Sequence, residues 1–167
     1  MSDVLVPFRL PRSVTARLQR LIPLLNADPE YAVVTRITRS SALRLALLRG
    51  VQKLEEDYPP RDERWSPSPS EGVKPRRKTY GKDTEQISVR LPAFLVERAD
   101  YLACCIDQDP EWSLSGHVSR SALLRIALAA GIRSLERIYL PRDQQPGPFA
   151  GIELYGGDED ESKGRKK

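Results

Sequence analysis

The side chains that most often catalyse reactions or bind metals are scarce in this sequence and poorly spaced for either task. The two cysteines, Cys104 and Cys105, are adjacent, so they are badly placed to bond to each other and match no zinc-binding spacing. The single histidine, His117, cannot build a metal site or a catalytic triad alone. Paired carboxylates, a nucleophile with its base and a phosphate-binding loop are also lacking. The sequence therefore predicts free thiols on a partly buried helix, no cofactor or metal, and no enzymatic activity.

Charge is unevenly distributed along the chain, which has a net charge of +4. Residues 1–58 carry nine Lys and Arg against six Asp and Glu, and residues 59–84 carry seven against four. Residues 85–139 and 140–167 each have a net charge of −1. A basic first half suits a polyanionic partner.

Apolar stretches are too short for membrane insertion, since none reaches the roughly 18 residues that a spanning helix needs. The opening residues, MSDVLVPFRLPR, lack the basic start and the long apolar run of a secretory signal. We therefore expect a cytoplasmic protein without a membrane partner.

An internal duplication defines the organisation of the chain. When the sequence is shifted by 81 residues, 3–62 aligns with 84–143 without a gap, and 21 of the 60 pairs are identical. The predicted organisation is a first unit at 1–58, a Pro/Ser-rich basic linker at 59–84, a second unit at 85–141, and a tail at 142–167 whose end is disordered. The linker stretch 74–78 is either a solvated spacer or a segment that binds the backbone of a polyanion such as DNA.

Each unit opens with a short stretch in which apolar residues alternate with others. Alternation of period two predicts a strand with one face on a core and the other face free. The core face would hold Val4, Val6, Phe8 and Leu10 in the first unit and Ile87, Val89 and Leu91 in the second. The free face would hold Leu5, Pro7, Arg9, Gln86, Ser88 and Arg90. Leu-Pro ends each strand, because proline interrupts the ladder and suits the first turn of a helix.

The first helix of each unit carries one apolar stripe at helical spacing. The stripe holds Val14, Leu18, Leu21 and Ile22 in one unit and Leu95, Ala99, Leu102 and Ala103 in the other. Pro23 is expected to end or bend the first of these helices near Ile22. A loop containing Asp-Pro-Glu and an aromatic residue then leads to the second helix.

The second helix of each unit is predicted to begin after an N-cap residue, Thr38 or Ser119. Both helices are apolar nearly all round, so each must be buried against more than one neighbour. A single unit of about 50 residues is too small to bury such a helix. Two units packed together would suffice.

The order strand, helix, loop and helix, with Arg-Leu-Pro at 9–11 and 90–92 closing each strand, resembles the ribbon-helix-helix (Arc/MetJ-like) DNA-binding superfamily. The resemblance covers 3–56 and 84–137, about two thirds of the chain. It implies a mainly α fold with a two-stranded antiparallel β-ribbon, in which the tandem units form one intertwined pseudo-dimer. In this family the ribbon enters the major groove of DNA.

The resemblance assigns the DNA-base contacts to Leu5, Pro7, Arg9, Gln86, Ser88 and Arg90. Arginine can bond guanine O6 and N7, and glutamine can bond adenine in the same bidentate manner. Leu5 and Pro7 depart from the pattern because their side chains form no hydrogen bonds, although Leu5 could touch a thymine methyl group. We therefore expect the strand with Gln86, Ser88 and Arg90 to give most of the base recognition, on an asymmetric site.

The resemblance also assigns DNA-phosphate contacts to the start of each second helix, where free N–H groups and the helix dipole attract anions. The residues concerned are Thr38, Arg39, Ser40, Ser119, Arg120 and Ser121. Thr38 and Ser119 can equally be plain helix caps, and the two roles are compatible.

The expected function is sequence-specific binding of double-stranded DNA as a transcriptional regulator, most simply a repressor, associated with the nucleoid when bound. Two alternatives stay open. One is an accessory DNA-binding factor in plasmid transfer or partition. The other is an antitoxin-like protein-interaction module that does not depend on DNA. The chain is expected to fold as a monomer, with side-by-side self-association on DNA left open.

Overall fold

The computed structural model describes residues 2–32, 35–57, 83–108 and 118–145. Its elements are β1 (Asp3–Pro11), α1 (Arg12–Ala27), α2 (Pro29–Ala32), α3 (Arg39–Asp57), β2 (Thr84–Pro92), α4 (Ala93–Gln108), α5 (Arg120–Tyr139) and a 3-10 turn (Arg142–Gln144). Most of the predicted linker, His117 and the end of the tail lie outside the described residues. None of the helices in the described ranges combines the length and the hydropathy that a bilayer crossing requires.

The two strands pair with each other in antiparallel fashion, from Asp3 opposite Pro92 to Pro11 opposite Thr84. The predicted mainly α fold with a two-stranded antiparallel sheet is therefore confirmed. The register is continuous over all nine pairs, so side chains on one face of β1 lie beside side chains on the same face of β2 along the whole sheet.

One face of this sheet covers a core built mainly from the helices. The buried strand residues are Val6, Phe8, Leu10, Val89 and Leu91. The buried residues of the two long helices are Ala42, Leu43, Ala46, Leu47 and Val51 in α3 and Leu123, Leu124, Ala127, Leu128, Ile132 and Leu135 in α5. Among the helices, α3 and α5 make the most extensive contact. The expectation that each second helix is buried against several neighbours is confirmed, since α5 also packs on α1, α4 and β1.

Helices α3 and α5 cross so closely that their backbones touch at two glycines. A Cβ atom added at Gly50 would lie 1.7 Å from the carbonyl oxygen of Ala127. A Cβ atom added at Gly131 would lie 1.7 Å from the carbonyl oxygen of Ala46. The two contacts join equivalent positions of the repeat, because 46 and 50 become 127 and 131 after the shift of 81 residues. Only glycine permits this separation of the helix axes.

Two reciprocal ion pairs also link the first helix of each unit to the second helix of the other. The Arg17 guanidinium donates to Glu136 through Nε (2.9 Å) and Nη2 (2.6 Å). The Arg98 guanidinium binds Glu55 in the same bidentate manner, with 2.8 Å between Nε and Oε1. The pairs are equivalent in the repeat but differ in burial. The side chain of Glu136 is 4% exposed, whereas that of Glu55 is 34% exposed.

Pro23 was expected to end or bend α1 near Ile22; it does not end the helix, which continues through Pro23 to Ala27. Proline removes one N–H donor, whose acceptor would have been the carbonyl of Gln19. Gln19 is exposed, so water can satisfy that carbonyl. Leu21 and Leu25, on either side of Pro23, are both fully buried. Packing of these leucines therefore stabilises the helix across the proline.

The segment predicted as a loop after α1 contains a helical turn, α2, that begins at Pro29. Asp28 starts this turn by accepting a hydrogen bond from the Glu30 amide (2.9 Å). Its other carboxylate oxygen accepts a bond from the Tyr139 hydroxyl (2.5 Å) at the end of α5. The hydrogen bond from Tyr139, followed by that from Glu30, holds the pKa of Asp28 below its ordinary value. Asp28 thus joins the α1–α2 corner to the second unit.

We expect Gly50→Ala and Gly131→Ala to lower the free energy of unfolding by about 2–3 kcal/mol each, because the added methyl group forces α3 and α5 apart. Alanine ordinarily stabilises a helix by about 1 kcal/mol relative to glycine, so helix propensity alone predicts that both substitutions raise the free energy of unfolding. Gln52→Ala, on the exposed face of α3, is the control and should change stability by less than about 0.5 kcal/mol. Chemical denaturation measures all three. Stabilisation by either glycine substitution would contradict the close crossing.

The equivalent positions Glu55 and Glu136 provide a matched pair of substitutions. Glu136→Gln should cost about 2–4 kcal/mol, because it leaves the largely buried guanidinium of Arg17 without its carboxylate. Glu55→Gln should cost about 1 kcal/mol or less, because water reaches both partners there. Equal losses in denaturant unfolding would show that the difference in burial has no energetic effect.

Candidate nucleic-acid interface

The six residues predicted to contact DNA bases lie on one exposed face of the two-stranded sheet, opposite the core. The register brings them together as three cross-strand pairs. These are Leu5 with Arg90, Pro7 with Ser88, and Arg9 with Gln86. We call this set of six residues the ribbon face.

Pro7 fits in the middle of the strand because of its place in the hydrogen-bond ladder. At one end of the ladder Arg12 N donates to Asp83 O (3.1 Å), and at the other Ala93 N donates to Ser2 O (3.3 Å). Hydrogen-bonded and non-bonded pairs alternate along an antiparallel ladder. Since both end bonds involve even-numbered positions of the first strand, Pro7 falls in a non-bonded pair and sacrifices no bond to β2. Proline is tolerated at such a position, because its missing N–H would have pointed away from the partner strand.

The centre of the ribbon face is the pair Pro7–Ser88, whose members are equivalent in the repeat because 88 − 7 = 81. On one side of this centre Arg9 stands opposite Gln86. On the other side Leu5, which is 60% exposed, stands opposite Arg90. Residues from both strands therefore share each end of the face, and the two polar partners Arg9 and Gln86 meet at one end.

Thr38 and Ser119 stand immediately before α3 and α5, and both act as helix caps. The Ser119 hydroxyl accepts a hydrogen bond from the Ala122 amide (3.2 Å). The Thr38 hydroxyl accepts one from the Ser41 amide (3.3 Å), and the Ser41 hydroxyl in turn accepts one from the Thr38 amide (2.7 Å). This reciprocal arrangement is a capping box in which serine replaces the usual glutamate. The predicted starts of both helices are confirmed.

The chain leading into each cap is held by an equivalent side chain of the preceding helix. Asn26 accepts a hydrogen bond from the Ile37 amide (2.7 Å) and donates one to the Ile37 carbonyl (3.1 Å). Asp107, which corresponds to Asn26 in the repeat, accepts a bond from the Val118 amide (2.7 Å). These bonds position the helix starts relative to α1 and α4. Neither residue was predicted from the sequence, although their equivalent positions and polar character were a usable signal.

Arg39 and Arg120, the first residues of α3 and α5, each form an ion pair with a carboxylate. Arg39 Nη2 lies 2.7 Å from Glu85 Oε1. Arg120 binds Asp100 through Nε (2.6 Å) and Nη2 (2.5 Å), and this hydrogen bonding raises the pKa of Arg120. Of the neighbouring serines that were predicted to contact phosphate, Ser40 is exposed and Ser121 is half-buried.

Glu85 and Asp100 were not predicted from the sequence as partners of these arginines. Glu85 lies in phase with the core residues Ile87 and Val89 of its strand, so a charge at that position was a signal that it had a partner. Asp100 lies on a helix surface that is rich in charge and gave no comparable signal.

Cys104 and Cys105 keep their thiols outside any disulfide, as predicted, and lie half-buried and buried in α4. Burial raises the pKa of the Cys105 thiol, which makes it a weak nucleophile. In the part of the chain that the structure describes, no three His, Cys, Asp or Glu side chains are grouped so that they could hold a metal ion. Comparison with protein-family models, with curated proteins and with solved structures found no match to this chain.

Proposed function

We propose that this protein is a single-chain ribbon-helix-helix pseudo-dimer that binds double-stranded DNA sequence-specifically, with β1 and β2 lying in the major groove. The observation that carries the proposal is the ribbon face. Arg9, Gln86 and Arg90 all lie on the exposed side of a two-stranded ribbon whose other side covers the core. A ribbon of this width fits the major groove, and these side chains are suited to reading guanine and adenine edges there.

The pseudo-dimer part of the proposal is supported by contacts that recur in reciprocal form at an offset of 81 residues. They are Gly50–Ala127 with Gly131–Ala46, Arg17–Glu136 with Arg98–Glu55, and Arg12–Asp83 with Ala93–Ser2. Such reciprocity is what an approximate twofold axis produces. The axis would pass through Pro7 and Ser88, which pair with each other.

Phosphate binding would occur at the starts of α3 and α5. The first N–H groups of a helix have no partner within the helix and carry the positive end of its dipole. Thr38 and Ser119 satisfy one amide each, which leaves others in the first turn for a phosphate oxygen. Ser40 and Ser121 would add hydroxyl donors. These contacts would fix the position of the protein without reading sequence.

The biological role that suits these properties best is transcriptional regulation, most simply repression. The same binding would serve an accessory factor in plasmid transfer or partition. The apolar part of the ribbon face favours a second candidate of another class, a protein-interaction module that is independent of DNA. Leu5 is 60% exposed, and neither it nor Pro7 can hydrogen-bond to a base through its side chain.

Selection of bound sequences from random duplex DNA, followed by salt titration, tests the proposal. We expect one asymmetric motif to be enriched, and the logarithm of the binding constant to fall by about 0.9 per phosphate contact for each unit of log salt. The control is the triple variant Arg9→Ala, Gln86→Ala and Arg90→Ala. It should lose the motif but retain salt-dependent binding to any duplex. Lack of enrichment at low salt would favour the protein-interaction module.

The register makes a sharper prediction about which bases each residue reads. Arg9→Ala and Gln86→Ala should relax base preference in the same half of the motif, whereas Arg90→Ala should relax it in the other half. Each loss should be about 1–3 kcal/mol for a bidentate contact. Repeating the selection with the three variants measures this. If Gln86 and Arg90 instead affected one half together, recognition would be divided by strand and the grouping by ribbon end would be wrong.

A further inference from the structure

We propose that Glu85 and Asp100 restrain Arg39 and Arg120, and so weaken the non-specific attraction of the protein to DNA phosphates. This inference rests on the proposed function, because it concerns how strongly the helix starts hold the DNA backbone. We call the two ion pairs the carboxylate clamps.

The first clamp places a carboxylate among donors that would otherwise suit a phosphate. Glu85 Oε1 accepts from Arg39 Nη2 at 2.7 Å. The polar side chain of Thr15, then the charges of Arg39 and Arg12, hold the pKa of Glu85 below its ordinary value despite partial burial. The Glu85 carboxylate is therefore negatively charged at neutral pH and already binds the Arg39 guanidinium that a phosphate would approach.

The second clamp is bidentate and more accessible to solvent than the first. Arg120 Nε and Nη2 lie 2.6 and 2.5 Å from the two carboxylate oxygens of Asp100. The Arg120 side chain is 49% exposed and that of Asp100 is 40% exposed. A phosphate approaching from solvent can reach the arginine, but it must share or displace the carboxylate and meets a like charge beside it.

The two clamps arise from positions that are not equivalent in the repeat, which distinguishes them from the ion pairs of the core. The position equivalent to Glu85 in the first unit is Val4, and the position equivalent to Asp100 is Gln19. Neither carboxylate is therefore required by the fold of a unit, since the other unit folds with an uncharged residue there. Both carboxylates lie in the second unit, where Glu85 pairs with the helix-start arginine of the first unit and Asp100 pairs with that of the second.

Clamping would change the balance between specific and non-specific binding. Non-specific affinity comes almost entirely from neutralising phosphates, so a guanidinium already paired with a carboxylate contributes less to it. Base contacts made by the ribbon face are not affected. A regulator must find its site among a great excess of other DNA. Weaker binding to the phosphate backbone therefore raises the ratio of specific to non-specific affinity, which determines how much of the protein occupies its site.

The experiment measures binding of the full chain to a short duplex of mixed sequence over a range of salt concentrations. The variants are Glu85→Gln and Asp100→Asn, each also combined with alanine at its own arginine, Arg39 or Arg120. Glu56→Gln is the matched control. It removes the same charge from a carboxylate that pairs with Lys53, about 25 Å along α3 from Arg39. Thermal unfolding verifies that every variant is folded.

We expect Glu85→Gln and Asp100→Asn each to tighten non-specific binding about two- to fivefold beyond Glu56→Gln. The salt slope should steepen by about 0.9 for each additional phosphate that the variant neutralises. Both effects should vanish when the corresponding arginine is alanine, which a purely structural ion pair or a general charge effect would not produce.

Three results would overturn the clamps. The first is an increase in affinity equal to that of Glu56→Gln, and the second is an increase that persists without the arginine. Both leave the proposed function standing, since the wild-type chain binds DNA in either case. The third is absence of binding by the wild-type chain and all variants at low salt, which overturns the proposed function together with the clamps.

Discussion

The backbone contact between α3 and α5 is the constraint on which the other features depend. At Gly50 and Gly131 the missing side chains let each helix approach the carbonyl of an alanine on the other helix. This separation decides how deeply the apolar side chains around the crossing interdigitate, and leucines on both helices become fully buried as a result. A helix that is apolar nearly all round is stable in water only when it is enclosed in this way.

The crossing also determines where the strands and the outer helices can lie. Once α3 and α5 are fixed, α1 and α4 pack on them and meet the opposite helices through Arg17–Glu136 and Arg98–Glu55. Each strand leads directly into one of these outer helices, so their positions fix the strand register. The ribbon face is thus a consequence of helix packing on the far side of the core.

Much of this arrangement could be predicted from the sequence, because alternation and helical spacing report directly on which face of an element is buried. The exposed strand residues, the helix caps and the apolar second helices follow from such local patterns. The register does not. Alternation and the prolines limit the pairing to shifts of two residues, and only tertiary packing selects the one centred on Pro7 and Ser88. Glu85 and Asp100 were missed because comparing the units reveals what they share, whereas these partners differ between them.

Covalent linkage of the two units explains why these differences could accumulate where they did. In a homodimer every substitution appears twice about the axis, so a change that suits one end of the ribbon is imposed on the other. In a single chain Leu5 can face Arg90 at one end while Arg9 faces Gln86 at the other. The clamps also differ between the two units, since the carboxylate that pairs with Arg39 lies on β2 and the one that pairs with Arg120 lies on α4. Where the units pack against each other the glycines and core ion pairs stay equivalent, because there each unit must still fit the other.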